Sequence, residues 1–153
     1  MTRTSRRWTQ VIEAVTVLLG VCAGSAVSRA QEPASASVWS GVYTEDQAKR
    51  GEEVANKMCV SCHGPELTGG EAGPALVGLE FLGNWNSLSL ADFFDRVQAT
   101  MPADAPGTLT PQQTTDATAY VLKLNKYPAG TTELPIDLAA LKKIMIEGQP
   151  PAK

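Results

Sequence analysis

The sequence predicts a small all-α domain preceded by an export segment. Three observations carry that expectation. Apolar residues recur at helical spacing in separate stretches, each opened by a capping signal. Glycine- and proline-rich stretches separate them, and no strand–helix alternation is present. Two cysteines and the single histidine, Cys59, Cys62 and His63, close the first helical stretch within "KMCVSCHG".

A chain of 153 residues suggests one domain. Its start is of another kind. Arg3, Arg6 and Arg7 precede an apolar run over residues 14–27, and Ser28 and Ala30 then offer a small-x-small cleavage pattern. That order describes a secretory signal peptide over residues 1–30, cleaved near Ala30, which predicts a periplasmic protein. The run is shorter than the roughly 20 residues a membrane span needs, so anchoring is the weaker reading. Arg6 and Arg7 form only part of a twin-arginine motif. Cys22 follows the bulky Val21 and reads as an apolar residue of the signal rather than a lipidation site. Removing this segment takes away Arg3, Arg6, Arg7, Arg29 and Glu13. Nine basic and fifteen acidic side chains remain, a formal charge of −6. That charge disfavours nucleic acid and anionic membrane as partners.

Residues 31–44 read as a leader that packs on the core, flexible over 31–37 and apolar over "VWSGVY" (38–43). Thr44, with Gln47 three residues on, makes a capping box for a helix over residues 45–59. Residues 64–87, rich in Gly, Pro and Asn, read as ordered loop. Ser89 caps the next helix. Leu90, Phe93, Phe94 and Val97 form its apolar stripe, and Pro102 stops it near Thr100. After a loop over 101–110, Thr110, Pro111 and Gln113 give a second capping box. The helix it opens runs to about Asn125, with Ala117, Tyr120, Val121 and Leu124 on one face. Residues 128–153 form a C-terminal extension, in which Asp137 caps a short helix bearing Leu138, Leu141, Ile144 and Met145.

On a helix, Cys59, Cys62 and His63 fall at i, i+3 and i+4 and share a face. A flat macrocycle against that face can be bonded through both sulfurs while the imidazole reaches its centre. This spacing is the pattern of covalent c-type haem attachment, with His63 as the proximal iron ligand. A thioredoxin-like dithiol would want the pair opening a helix beside a βαβ unit. Structural zinc would want a fourth ligand. A chance cluster is the remaining alternative. For a haem, the distal ligand follows by elimination. No second histidine exists, Met58 adjoins Cys59, Met145 lies in the extension and Met1 leaves with the signal. Met101 remains, before Pro102, with lysine or water as the fallback. Leu76, Leu79, Phe81, Leu82, Phe93, Phe94 and Val97 are the expected apolar shell. Trp85 is a candidate donor to a haem propionate, with a place in the core as its other reading.

The chain here resembles the class I c-type cytochromes over residues 45–127. The resemblance is carried by "CVSCHG", by "GPAL" (73–76), by "TMP" (100–102) and by the helix around Tyr120. It implies three to four helices around one covalent haem. Gly51 stands where the family's first and last helices cross, and Tyr120 matches the aromatic residue of the last helix. The carbonyl of Pro74 would accept the hydrogen bond of the proximal imidazole and fix its tautomer. Ala55 departs from the family, which usually has an aromatic residue there. Either the crossing is looser, or Trp39 or Tyr43 fills the gap.

A haem ligated on both sides leaves no iron position for substrate. The expected function is therefore a one-electron carrier and not an enzyme. It would pass electrons between a periplasmic dehydrogenase and a downstream acceptor by transient docking. Two alternatives stay open. One is a haem enzyme or gas-binding protein with an open distal site. The other is a cytochrome subunit of a periplasmic dehydrogenase complex.

Overall fold

The computed structural model describes residues 36–150. The expected signal segment, with Arg6, Arg7 and Cys22, and residues 31–35 of the leader lie outside the described residues. Helix α1 spans Glu45–Met58. The Thr44 hydroxyl accepts from the Gln47 amide at 3.1 Å, and Glu45 and Asp46 place negative charge in the first turn. The expected capping box is only half made. The side chain of Gln47, fully buried, turns instead to the distant Leu134. Its Oε1 accepts from the Leu134 amide at 2.8 Å and its Nε2 donates to the Leu134 carbonyl at 3.1 Å. A buried peptide group has no water to fall back on, so its claim on the amide outweighs that of the cap.

Helix α2 (Val60–His63) follows α1 across Cys59. The next stretch corrects the expectation of a loop over 64–87, because Gly78–Trp85 form helix α3. Eight residues with two glycines and no side-chain cap at Val77 give no periodic signal. Tertiary contact holds this helix. Phe81 is buried, and Phe81 and Trp85 meet Phe93 edge-on, with ring centroids 5.8 and 4.8 Å away. Leu79, two residues from Phe81 and so on the opposite face, is 88% exposed and is not part of any apolar shell.

Helix α4 (Leu90–Thr100) opens with a complete capping box between Ser89 and Asp92. The Ser89 hydroxyl, and after it the Ser89 amide, hold the Asp92 carboxyl below its usual range. Helix α5 (Pro111–Leu124) opens with the reciprocal pair Thr110 and Gln113. Helix α6 (Leu138–Leu141) starts where Asp137 Oδ1 accepts from the Ala140 amide at 2.8 Å. It ends sooner than expected. Ile144–Met145 form a strand, β2, that pairs in parallel with β1, Ala36–Ser37. The buried positions Leu141 and Ile144 are three apart, a spacing that a helix and a turn into a strand both satisfy.

Helices α1 and α5 cross at Gly51. A Cβ there would lie 1.9 Å from the Asp116 carbonyl oxygen, so only glycine admits this approach. Arg50 adds a two-pronged contact to the Asp116 carboxylate at 3.1 and 3.0 Å, and reaches Glu133 at 2.9 Å. The crossing is therefore not a loose one. Trp39 and Tyr43 have another task. Trp39 meets the Tyr127 ring edge-on and donates to the Glu147 carbonyl at 2.8 Å. Tyr43 donates to the Tyr127 carbonyl at 2.7 Å. Burial, with Glu45 adding, pushes the Tyr43 hydroxyl up to about 12, so it keeps its proton as a donor.

The C-terminal extension belongs to the core. Leu134, Leu141 and Ile146 are buried in it, and the Ile146 amide bonds the Leu88 carbonyl at 2.8 Å. No helix among the described residues is long and apolar enough to cross a membrane.

Gln47→Leu keeps the side chain's bulk but leaves the Leu134 amide and carbonyl unpaired. It should cost about 2–4 kcal/mol, since each buried orphan costs roughly 1–3 kcal/mol. A lowered urea midpoint at unchanged slope, with faster exchange of the Leu134 amide, is the expected outcome. An unchanged midpoint would show that the clamp contributes nothing.

Candidate functional site

One cleft gathers most of the residues singled out in the sequence. The end of α1 supplies Ala55 and Met58, and the junction with α2 supplies Cys59, Cys62 and His63. Leu67, Gly73, Pro74 and Leu76 come from the following loop. Phe93, Val97 and Met101 come from α4 and its end, and Ala117, Thr118 and Val121 from α5. The cleft is mostly apolar in its lining and partly open to solvent.

Cys59 is the junction residue of α1 and α2, and its carbonyl accepts from the amides of Cys62 and His63 at 3.1 and 2.9 Å. These helical bonds keep the three motif side chains on one side of the chain. Both thiols are free. Burial, and after it Cys62, pushes the Cys59 thiol up, while Cys62 is exposed. His63 is 7% exposed, and its Nδ1 lies 2.7 Å from the Pro74 carbonyl oxygen. A carbonyl can only accept, so Nδ1 carries a proton, and in the neutral ring Nε2 is the nitrogen with the free lone pair.

Gly73 was not singled out by function in the sequence, yet it makes this contact possible. A Cβ there would lie 3.0 Å from Nδ1 of His63 and 3.1 Å from the Cys62 carbonyl. In the sequence it stood only as the first residue of "GPAL", without a role of its own.

Met101 is the first residue beyond α4. Its amide bonds the Val97 carbonyl at 2.9 Å, and its backbone is extended (φ −121°, ψ 148°), as a residue before proline should be. Its side chain lines the cleft. Met58 lines it too, although its place beside Cys59 had set it aside. Met145 sits in β2, and among the described residues no lysine lines the cleft. Of the expected apolar shell, Leu76, Phe93 and Val97 line the cleft. Phe81 and Phe94 are buried in the core instead. Trp85 is absent from the cleft wall and packs on Phe93.

The residues fit a haem. Two free thiols, an imidazole with its tautomer fixed and two thioethers share one apolar cleft. A bare metal ion fits less well, because no group of three or more His, Cys, Asp or Glu among the described residues could hold one.

Residues 46–121 match the family model described as cytochrome C oxidase, cbb3-type, subunit III. This stretch is a c-type cytochrome domain. Its fold is the small all-α cytochrome c fold, and its cofactor is one covalently bound haem c. No curated protein matches the chain. Among solved structures, the sulfane dehydrogenase SoxCD from Paracoccus pantotrophus has a similar chain, with 23% identity and a TM-score of 0.44. The match covers 58% of the cytochrome chain and 53%, about half, of the SoxCD chain.

Gly73→Ala should destabilise the haem-loaded cytochrome by about 1–3 kcal/mol, because the added methyl crowds the His63 ring. Gly83 is the control. A Cβ there meets nothing within 4 Å, so Gly83→Ala in α3 should be neutral or stabilising by up to about 1 kcal/mol. Denaturant midpoints of the two variants measure the difference, and equal midpoints would dismiss the crowding.

Proposed function

We propose that the chain is a periplasmic one-electron carrier that shuttles between a dehydrogenase and a downstream acceptor, and that it catalyses no reaction of its own. The observation that carries this reading is the gathering of Cys59, Cys62, His63 and Met101 on one apolar cleft.

Haem c, when bound, supplies a one-electron change at its iron. Cys59 and Cys62 each form a thioether to it, which makes the attachment permanent. His63 serves as the proximal ligand through Nε2. The Pro74 carbonyl holds the other nitrogen's proton, and so fixes the ring and raises its basicity. Met101 serves as the distal ligand and favours the ferrous state. With His63 and Met101 both holding the iron, no position on it would be left for a substrate. Met58 is the competing thioether. It belongs to the residue before Cys59, on the attachment turn that also carries His63, and this favours Met101 for the remote position. Trp85 keeps a core role and is not needed as a propionate donor.

Export through the segment over residues 1–30 puts the protein in the compartment where its partners are. The mature charge of −6 favours brief encounters steered toward basic or apolar patches on periplasmic redox proteins. Rapid release allows turnover, and small interfaces suit it.

Cys59→Ala or Cys62→Ala should weaken covalent haem retention, and the double variant should abolish it. Haem staining after denaturing electrophoresis reads this directly. A stained band from the double variant would rule out the attachment.

Met101→Ala should lower the reduction potential and let the ferrous protein bind carbon monoxide, which the wild type should not do at neutral pH. Met58→Ala should leave carbon monoxide binding absent. Ready binding by the wild type would replace the carrier reading with an open-site haem protein, and an effect of Met58→Ala alone would exchange the two methionines.

A further inference from the structure

Gln98 stands in the last turn of α4, three residues before Met101. Its amide joins three parts of the fold. Nε2 donates to the Leu109 carbonyl at 2.6 Å, and Oε1 accepts from the Thr114 hydroxyl at 2.9 Å. Leu109 is 3% exposed and lies at the closing end of the loop over residues 101–110, while Thr114 is fully buried on α5. The bonds within the loop are local. The Ala105 amide meets the Pro102 carbonyl at 3.0 Å, and the Thr108 hydroxyl meets the Ala105 carbonyl at 2.8 Å. Neither ties the loop to the helices beside it. Thr110 caps α5, and Gln98 adds the tie to α4 at Leu109, at the end opposite to Met101. Its orientation is determined as well, since a reversed amide would set oxygen against oxygen at Leu109.

The loop supplies Met101, Pro102, Ala103, Asp104 and Leu109 to the cleft wall. Met101 itself is bonded through its amide to Val97, so its near end is fixed by α4. The far end is fixed to α5 by the Thr110 cap and to α4 by Gln98. A loop held at both ends loses its freedom on folding and not on ligation, which raises the effective concentration of its side chains at the cleft.

We propose that Gln98 is the positioning residue for the Met101 loop. It clamps Leu109 to α4 and α5, and so keeps the Met101 thioether at the cleft. This rests on the reading of Met101 as the distal ligand. Gln98 touches no reacting group. It acts only through the loop.

The test uses haem-loaded protein in four forms: wild type, Met101→Ala, Gln98→Ala and Gln98→Glu. Two readouts are followed, the rate of carbon monoxide uptake by the reduced protein and the midpoint potential. Loss of the two hydrogen bonds should raise the uptake of Gln98→Ala on the order of tenfold over wild type, with the potential moving toward that of Met101→Ala. Gln98→Glu should behave differently with pH. As a neutral acid it can donate to the Leu109 carbonyl, so uptake at low pH should stay near wild type. As a carboxylate it repels that carbonyl, so uptake should rise through the carboxyl titration. A merely structural role would not produce this profile. If Gln98→Ala does not fold, the pH profile of Gln98→Glu decides. The proposal is overturned if Met101→Ala opens the site while Gln98→Ala matches wild type, or while Gln98→Glu is flat with pH. If Met101→Ala fails to open the site, the distal ligand is misassigned, a result distinct from a failure at Gln98.

Discussion

The contact between α1 and α5 at Gly51 governs the arrangement of this domain. Two helix backbones touch there, because no side chain stands between Gly51 and the Asp116 carbonyl. The consequence runs in both directions along α1. Beyond the crossing, α1 passes Ala55 and Met58 into the turn that carries Cys59, Cys62 and His63. Opposite it, α5 brings Ala117, Thr118 and Val121 to the same cleft. A bulkier residue at 51 would push α5 away and widen the cleft from that side.

Helix α5 reaches this depth with an unusual composition. Thr114, Thr115, Asp116 and Thr118 are all buried on it. Their polarity is satisfied locally or by one neighbour. The Thr118 hydroxyl donates to the Thr114 carbonyl at 2.8 Å, Thr115 donates to the Gln112 carbonyl at 3.0 Å, and Asp116 accepts from Arg50 and Gln112. Threonine methyl groups then serve as apolar surface. Small side chains also let the helix approach both α1 and the cleft, where aromatic ones would fill the space a cofactor needs.

On the other side of the molecule, the N-terminal segment and the C-terminal extension stabilise each other. Trp39 and Tyr43 donate to carbonyls of Glu147 and Tyr127, and Gln47 secures Leu134. These bonds hold the start of α1 from behind. Among the described residues, the cleft wall includes apolar side chains from α1, α4 and α5, with Asp104 as its one carboxylate and neither lysine nor arginine. Such walls would disfavour added charge at a bound haem and so would favour its reduced state.

Local chemistry was legible in the sequence. Thr44, Ser89, Thr110 and Asp137 cap helices because their side chains meet amides three residues away, a distance within the sequence itself. The spacing of Cys59, Cys62 and His63 likewise depends only on one turn of helix. Long-range partners were not legible. Gln47 left its expected cap because Leu134, 87 residues away, comes to lie beside it. Helix α3 exists because Phe93 offers Phe81 and Trp85 a surface, and Ile144 and Met145 became a strand because Ala36 and Ser37 offered an edge. By itself, then, the sequence determined the helices with strong caps, the attachment chemistry and the candidate ligands. The tertiary structure alone decided which apolar residues face the cleft, that Gly73 must leave room for the imidazole and that a second thioether shares the wall. These depend on contacts between distant segments, and the pattern of any one segment does not contain them.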